Sequence, residues 1–115
     1  MRAERRRRVR QHARRDANHD ELVGLFVALG CSVLDVSQVA GALDLVIGVA
    51  GVDQRVEIKD GAKEPSRRRL TEAERDEIDA WRGREPVIVE TTRHVITLVA
   101  DLREHGWSRP VVRDT

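Results

Sequence analysis

Three residues near the middle of the chain have types and spacing that could do chemistry. In the stretch RVEIKDGAKEPSRRRL, residues 55–70, Glu57 and Lys59 stand two positions apart in a run of alternating polar and apolar residues, and Asp44 precedes them on an earlier apolar run. Side chains alternate across a strand, so Glu57 and Lys59 share one face while Val56 and Ile58 take the other. Two carboxylates are hard oxygen ligands suited to Mg²⁺ or Mn²⁺, and a strand carbonyl, here that of Ile58, can add a third oxygen. A cation so held polarises a phosphodiester and acidifies its bound water. An amine beside it can position that water or stabilise charge developing on the phosphate oxygens. The plainer reading of Glu57 and Lys59 is an exposed, salt-bridged strand face worth ~0–1 kcal/mol.

This chemistry needs Asp44 and the end of the strand bearing Glu57 to meet. Residues 44–50 and 55–59 read as two strands joined by a short turn around residues 51–54, an antiparallel hairpin that brings Asp44 opposite the end of the later strand. Ahead of them, Asn18 can cap a helix whose Leu22, Leu25, Phe26 and Leu29 follow i, i+3, i+4, i+7 spacing, with Gly30 to end it. Residues 32–37 read as a first strand. Beyond the hairpin, residues 63–69 are a basic loop, and Thr71 with Glu74 makes the capping box of a second helix with Ile78 and Trp81 facing inward. VIVE, residues 87–90, suits a central buried strand. Thr92 can cap a last helix with Val95, Leu98, Val99 and Leu102 on one face and Gly106 after it. The order is α-β-β-β-α-β-α. A right-handed crossover makes the third and fourth strands parallel and leaves the first three as an antiparallel meander, so the expected fold class is α/β, a mixed sheet with flanking helices.

This arrangement resembles the PD-(D/E)XK nuclease superfamily. The pattern stands here as GALDLVIG, residues 41–48, and VEIK, residues 56–59, within a similarity covering roughly residues 18–105. It is nearest in character to small phage nucleases and archaeal-type Holliday-junction resolvases. The resemblance implies a restriction-endonuclease-like fold, Asp44 and Glu57 as metal ligands, Lys59 as the catalytic lysine, Mg²⁺ or Mn²⁺ as cofactor, and a homodimer acting on branched or free-ended DNA. Many members add a glutamate on the first helix, for which Glu21 is the match; Glu21 also stands in capping-box spacing from Asn18. Two departures stand out. Leu43 replaces the proline of the family name, and where relatives often carry a glutamine on the helix after the third strand, this one offers acids such as Glu74 and Glu77.

Charge is unevenly placed. Residues 1–15 hold eight arginines and one acid, a charge of +7 against +1 for the whole chain, so the remainder carries −6. Arg5, Arg6, Arg7 and Arg8 in that arm, with Lys63, Arg67, Arg68 and Arg69 in the loop, are the expected nucleic-acid contacts. The loop arginines could instead pair with the acidic helix that follows them. Aromatic residues are only 3% of the chain, which argues against a single-strand binder built on base stacking. Cys31 reads as a core residue and the scattered histidines as surface residues. No apolar run approaches the ~20 residues that span a bilayer, so a soluble, intracellular (cytoplasmic) protein is expected.

The division is a basic arm at residues 1–17, a nuclease domain at 18–106 and a tail at 107–115. The expected activity is metal-dependent hydrolysis of DNA phosphodiesters, directed by structure rather than base sequence, because no element for reading bases is evident. A non-catalytic nucleic-acid-binding protein on the same scaffold is the rival, and a protein-interaction module the third reading.

Overall fold

Two apolar runs meet at Ala50 and Gly51, and their pairing forms the centre of the fold. A computed structural model of the chain describes residues 16–106, with helices α1 (His19–Ala28), α2 (Glu72–Ala80) and α3 (Thr92–His105), and strands β1 (Ser32–Asp35), β2 (Leu45–Val49), β3 (Val52–Ile58) and β4 (Val87–Val89). Arg5–Arg8 and the tail lie outside the described residues.

The hairpin is tighter than the sequence suggested. Ala50 and Gly51 both take positive φ, 55° and 79°, the two-residue turn whose twist matches its flanking strands, so pairing begins at once with Val49 opposite Val52. β3 therefore starts at Val52 rather than at Arg55. Alanine is disfavoured at positive φ whereas asparagine tolerates it. Ala50→Asn is expected to raise unfolding stability by about 0.5–1 kcal/mol, read as a higher urea midpoint at unchanged slope.

The strands run in the order β1-β2-β3-β4, with β1, β2 and β3 antiparallel and β4 parallel to β3, as the crossover argument requires. One face of the sheet makes the core: Leu45, Ile47, Val56, Ile58 and Val89 meet Leu22 and Phe26 of α1 and Val95, Val99 and Leu102 of α3. Full burial of Phe26 contributes on the order of 2–3 kcal/mol. Cys31 is part of this core, as expected. Gly30, at φ 91°, ends α1.

Several local expectations are corrected. β1 stops at Asp35, and α3 is capped by Thr91, whose hydroxyl accepts the His94 N–H, rather than by Thr92. VIVE is an edge strand of three residues with Ile88 exposed, because the crossover sets β4 outside β3 and no described strand follows it. Trp81 is 46% exposed and α2 buries no residue at all, because the strand face beneath it is charged. Among the described histidines His94 and His105 are exposed, but His19 is buried.

His19 is buried because it ties α1 to β1: its Nε2–H donates to Asp35 Oδ2 at 2.9 Å, while the Ser37 hydroxyl and N–H donate to Asp35 Oδ1. Burial works against the Asp35 charge, but these bonds from Ser37 and His19 outweigh it and lower the carboxyl from 3.8 to about 2. A depressed carboxylate stabilises the fold above its unfolded value and ceases to do so as pH falls through its folded value. Asp35→Asn is therefore expected to cost about 1–2 kcal/mol at pH 6, a figure reduced for partial exposure, with the gap to the parent closing between pH 4 and pH 2. Urea unfolding across that range measures it.

Candidate functional site

The sheet face opposite the core carries the residues singled out from the sequence. The pairing of Leu45 with Val56 sets Asp44 opposite Glu57 at the next position, and alternation puts Glu57 and Lys59 on that same face. All three are buried, with Glu57 only 4% exposed. The exposed strand face considered above is thereby excluded. β2 begins only at Leu45, so the N–H of Ile58 lies beyond its backbone partners, and the Asp44 carboxylate accepts it at 2.8 Å. A residue's N–H and C=O point to one edge of a strand, which turns the Ile58 carbonyl to the Asp44 side.

The second helix completes the cluster. Glu74 closes the predicted capping box with Thr71, and the same carboxylate oxygen accepts Lys59 Nζ at 2.9 Å. Lys59 lies farther, 3.6 Å, from Glu57. Although that spacing counts as an ion pair, the ammonium is committed to Glu74, so Glu57 is left short of counter-charge. Burial, a hydrogen bond with Glu74 and the negative field of Asp44 raise Glu57 far above the carboxylate range, to about 9, against the weaker pull of Lys59. Burial opposes the Lys59 charge, yet the contact with Glu74 and the fields of Glu74, Glu57 and Asp16 raise it, so the lysine stays an ammonium. Burial likewise opposes ionisation of Glu74, and bonds from Glu57, Lys59 and the Thr71 N–H overcome it.

Glu21 does not join this group. It is exposed, and Asn18 makes no cap with its side chain; its Nδ2 donates instead to the carbonyls of Lys59 and Glu90, pinning the start of α1 to the ends of β3 and β4. That anchoring brings Asp16, allotted to the arm by sequence, toward the site. Asp16 lies 3.7 Å from Lys63, and burial raises its carboxyl against the fields of Lys59 and Lys63. No pattern in the sequence marked Asp16, because its position depends on how α1 meets the sheet. Glu74 did carry signals, its capping-box spacing and its place on the helix where relatives often carry a glutamine, but neither put it on Lys59.

The basic loop is partly engaged. Arg68 pairs with Glu90 at 3.1 Å and donates to the Lys63 carbonyl, while Arg67 and Arg69 are exposed. The expected alternative, pairing of loop arginines with α2, is not what occurs: Glu74 takes Lys59 and Glu77 takes Arg55 at 3.0 Å. Arg55 also lies 4.1 Å over the Trp81 ring.

Among the described residues no three His, Cys, Asp or Glu side chains form a metal-ligand cluster. The set that could hold a cation is accordingly small: the Asp44 and Glu57 carboxylates with the Ile58 carbonyl, oxygen donors throughout, as a hard divalent ion prefers. The surplus of carboxylates over cationic groups around Glu57 fits the same class of ion. No described helix is long and apolar enough to cross a membrane. Comparison with protein-family models, curated proteins and solved structures finds no match to this chain.

Proposed function

We propose that the chain is a metal-dependent DNA endonuclease with a restriction-endonuclease-like fold, akin to PD-(D/E)XK nucleases that act on branched DNA. The observation that carries this reading is the buried meeting of Asp44, Glu57 and Lys59 on one sheet face, at the end of a hairpin in a β1-β2-β3-β4 mixed sheet. Burying two acids and an amine is costly even when they are partly paired, and such clusters of perturbed groups concentrate at functional sites.

Asp44, Glu57 and the Ile58 carbonyl would hold Mg²⁺ or Mn²⁺, which when bound polarises the scissile phosphate and makes water a better nucleophile. Lys59 keeps its proton on Nζ and offers it as a hydrogen-bond donor to the attacking water or to a phosphate oxygen gaining charge. Asp44 has one oxygen committed to the Ile58 N–H, which fixes the direction of the other. Exposed Arg67 and Arg69, with Arg5–Arg8 of the arm, would engage the backbone without reading bases. A homodimer would present two such sites to a branched substrate.

The test is cleavage of labelled four-way-junction, flap and linear duplex DNA with Mg²⁺, with Mn²⁺ and with EDTA. Metal-dependent cutting that favours the branched substrates is expected. Salt-sensitive binding with no cutting under any metal would sink the reading in favour of a nucleic-acid-binding scaffold.

A further inference from the structure

A lysine side chain has four rotatable bonds, and fixing its ammonium takes more than one contact. Lys59 is held from two sides, at 3.6 Å by Glu57 from its own strand and at 2.9 Å by Glu74 from α2. The Glu74 oxygen that takes Lys59 also accepts the Thr71 N–H at 2.8 Å, so its position is set by the first turn of α2. No residue of that helix is fully buried, and of its apolar side chains Ile78 is only half-buried. One turn on, Glu77 reaches Arg55 at 3.0 Å, and Arg55 stacks over Trp81 at the end of the helix. Arg55 and Lys59 are four apart on one face of the strand, and Glu74 and Glu77 are three apart on one face of the helix. The two ion pairs therefore lie side by side and join α2 to the sheet by charge.

We infer that Glu74 is a positioning residue that aims the Lys59 ammonium at the site, with the Glu77–Arg55 pair keeping α2 seated so that it can. This rests on the nuclease reading for its consequence in catalysis, but not for the contact itself. Removing Glu74 leaves Lys59 held only by the longer contact to Glu57, and its ammonium then samples other directions. Glutamine at the same place retains an oxygen able to accept from both Thr71 and Lys59.

Two measurements decide it. The chain has two lysines, Lys59 and Lys63, so acylation by an amine-reactive acetyl ester, followed by mass spectrometry, compares them in one sample. Lys59 is expected to react far more slowly than Lys63 in the parent. It should react roughly tenfold faster in Glu74→Ala, with near-parental protection in Glu74→Gln. In DNA cleavage, Glu74→Ala should lower kcat roughly tenfold at unchanged KM, and Glu74→Gln should restore most of it. Unchanged Lys59 protection in Glu74→Ala overturns the inference, and so does faster cutting by that variant, which would make Glu74 a restraint instead. If the parent cuts no DNA with any metal, the nuclease reading fails, while the acylation rates still report whether Glu74 holds the lysine.

Discussion

Lys59→Ala is expected to lower metal-dependent DNA cleavage about 10³-fold while leaving DNA binding in place. The magnitude is that of removing one preorganised donor from a site where charge develops on oxygen. The Lys59 side chain is buried and held by Glu74 at 2.9 Å; burial opposes its charge, but the bond to Glu74 and the fields of Glu74, Glu57 and Asp16 keep it protonated. Such a group cannot contribute much to binding DNA from solution, so its loss should appear in kcat and not in affinity. Arginine should not substitute, because a planar guanidinium does not fit a pocket shaped around a compact ammonium. Single-turnover cleavage alongside a binding isotherm separates the two effects. Affinity falling together with rate would make Lys59 a backbone contact, and an unchanged rate would remove it from the chemistry.

Glu57→Gln should produce two large effects of opposite value. Cleavage should be lost, since the amide is a poor ligand for a hard cation. The metal-free protein should nonetheless become more stable at alkaline pH. The Glu57 carboxyl rises from 4.5 to about 9 on folding, chiefly through burial, then through its hydrogen bond with Glu74 and the field of Asp44. Between those values the folded chain retains a proton that the unfolded chain has released, so stability falls as pH rises through that window. Glu74, lowered in the fold, and Lys59, raised, favour the folded state throughout this window but titrate outside it, so the slope is that of Glu57, reduced as relaxation of the site lets water reach an ionised carboxylate. A net loss of about 2–3 kcal/mol between pH 5 and pH 9 is expected for the parent in EDTA. Glu57→Gln should lack that loss and exceed the parent by a similar amount at pH 9. Excess Mg²⁺ should flatten the parent's curve and leave the variant's unchanged, because a bound cation favours the ionised carboxylate. Urea unfolding at a series of pH values decides it. A parent as stable at pH 9 as at pH 5, without metal, would mean that Glu57 is not held neutral. The expected pattern is that of a residue kept for function at the expense of stability.

The legible part of the site was the part set by local geometry. Alternation along VEIK settled that Glu57 and Lys59 point the same way, and the hairpin settled that Asp44 faces them. Neither depends on anything far along the chain. Glu21 and Asp16 mark the other case. Which carboxylate near α1 approaches the site depends on where the helix begins relative to the ends of β3 and β4, and Asn18 decides that through bonds to Lys59 and Glu90, residues far away in sequence. Trp81 was misplaced for a similar reason. Its spacing from Ile78 suits an inward face, but the surface under α2 carries Arg55 and Lys59, so the helix docks through its acids and leaves the ring exposed.

By itself the sequence determined the order of elements, the hairpin, the helix faces of the core and the pairing of polar residues on one strand face, because these follow from periods of two and 3.6 residues and from turn stereochemistry. Only the tertiary structure decided that the polar face is covered, that Glu74 shares one oxygen between its helix cap and Lys59, that β4 is an edge and that His19 is buried against Asp35. The physical reason is that burial and charge are properties of a place, not of a residue. A carboxylate's role depends on which groups the other elements bring within a few ångströms, and strand order and helix docking, which set those neighbours, leave no period in the chain to read.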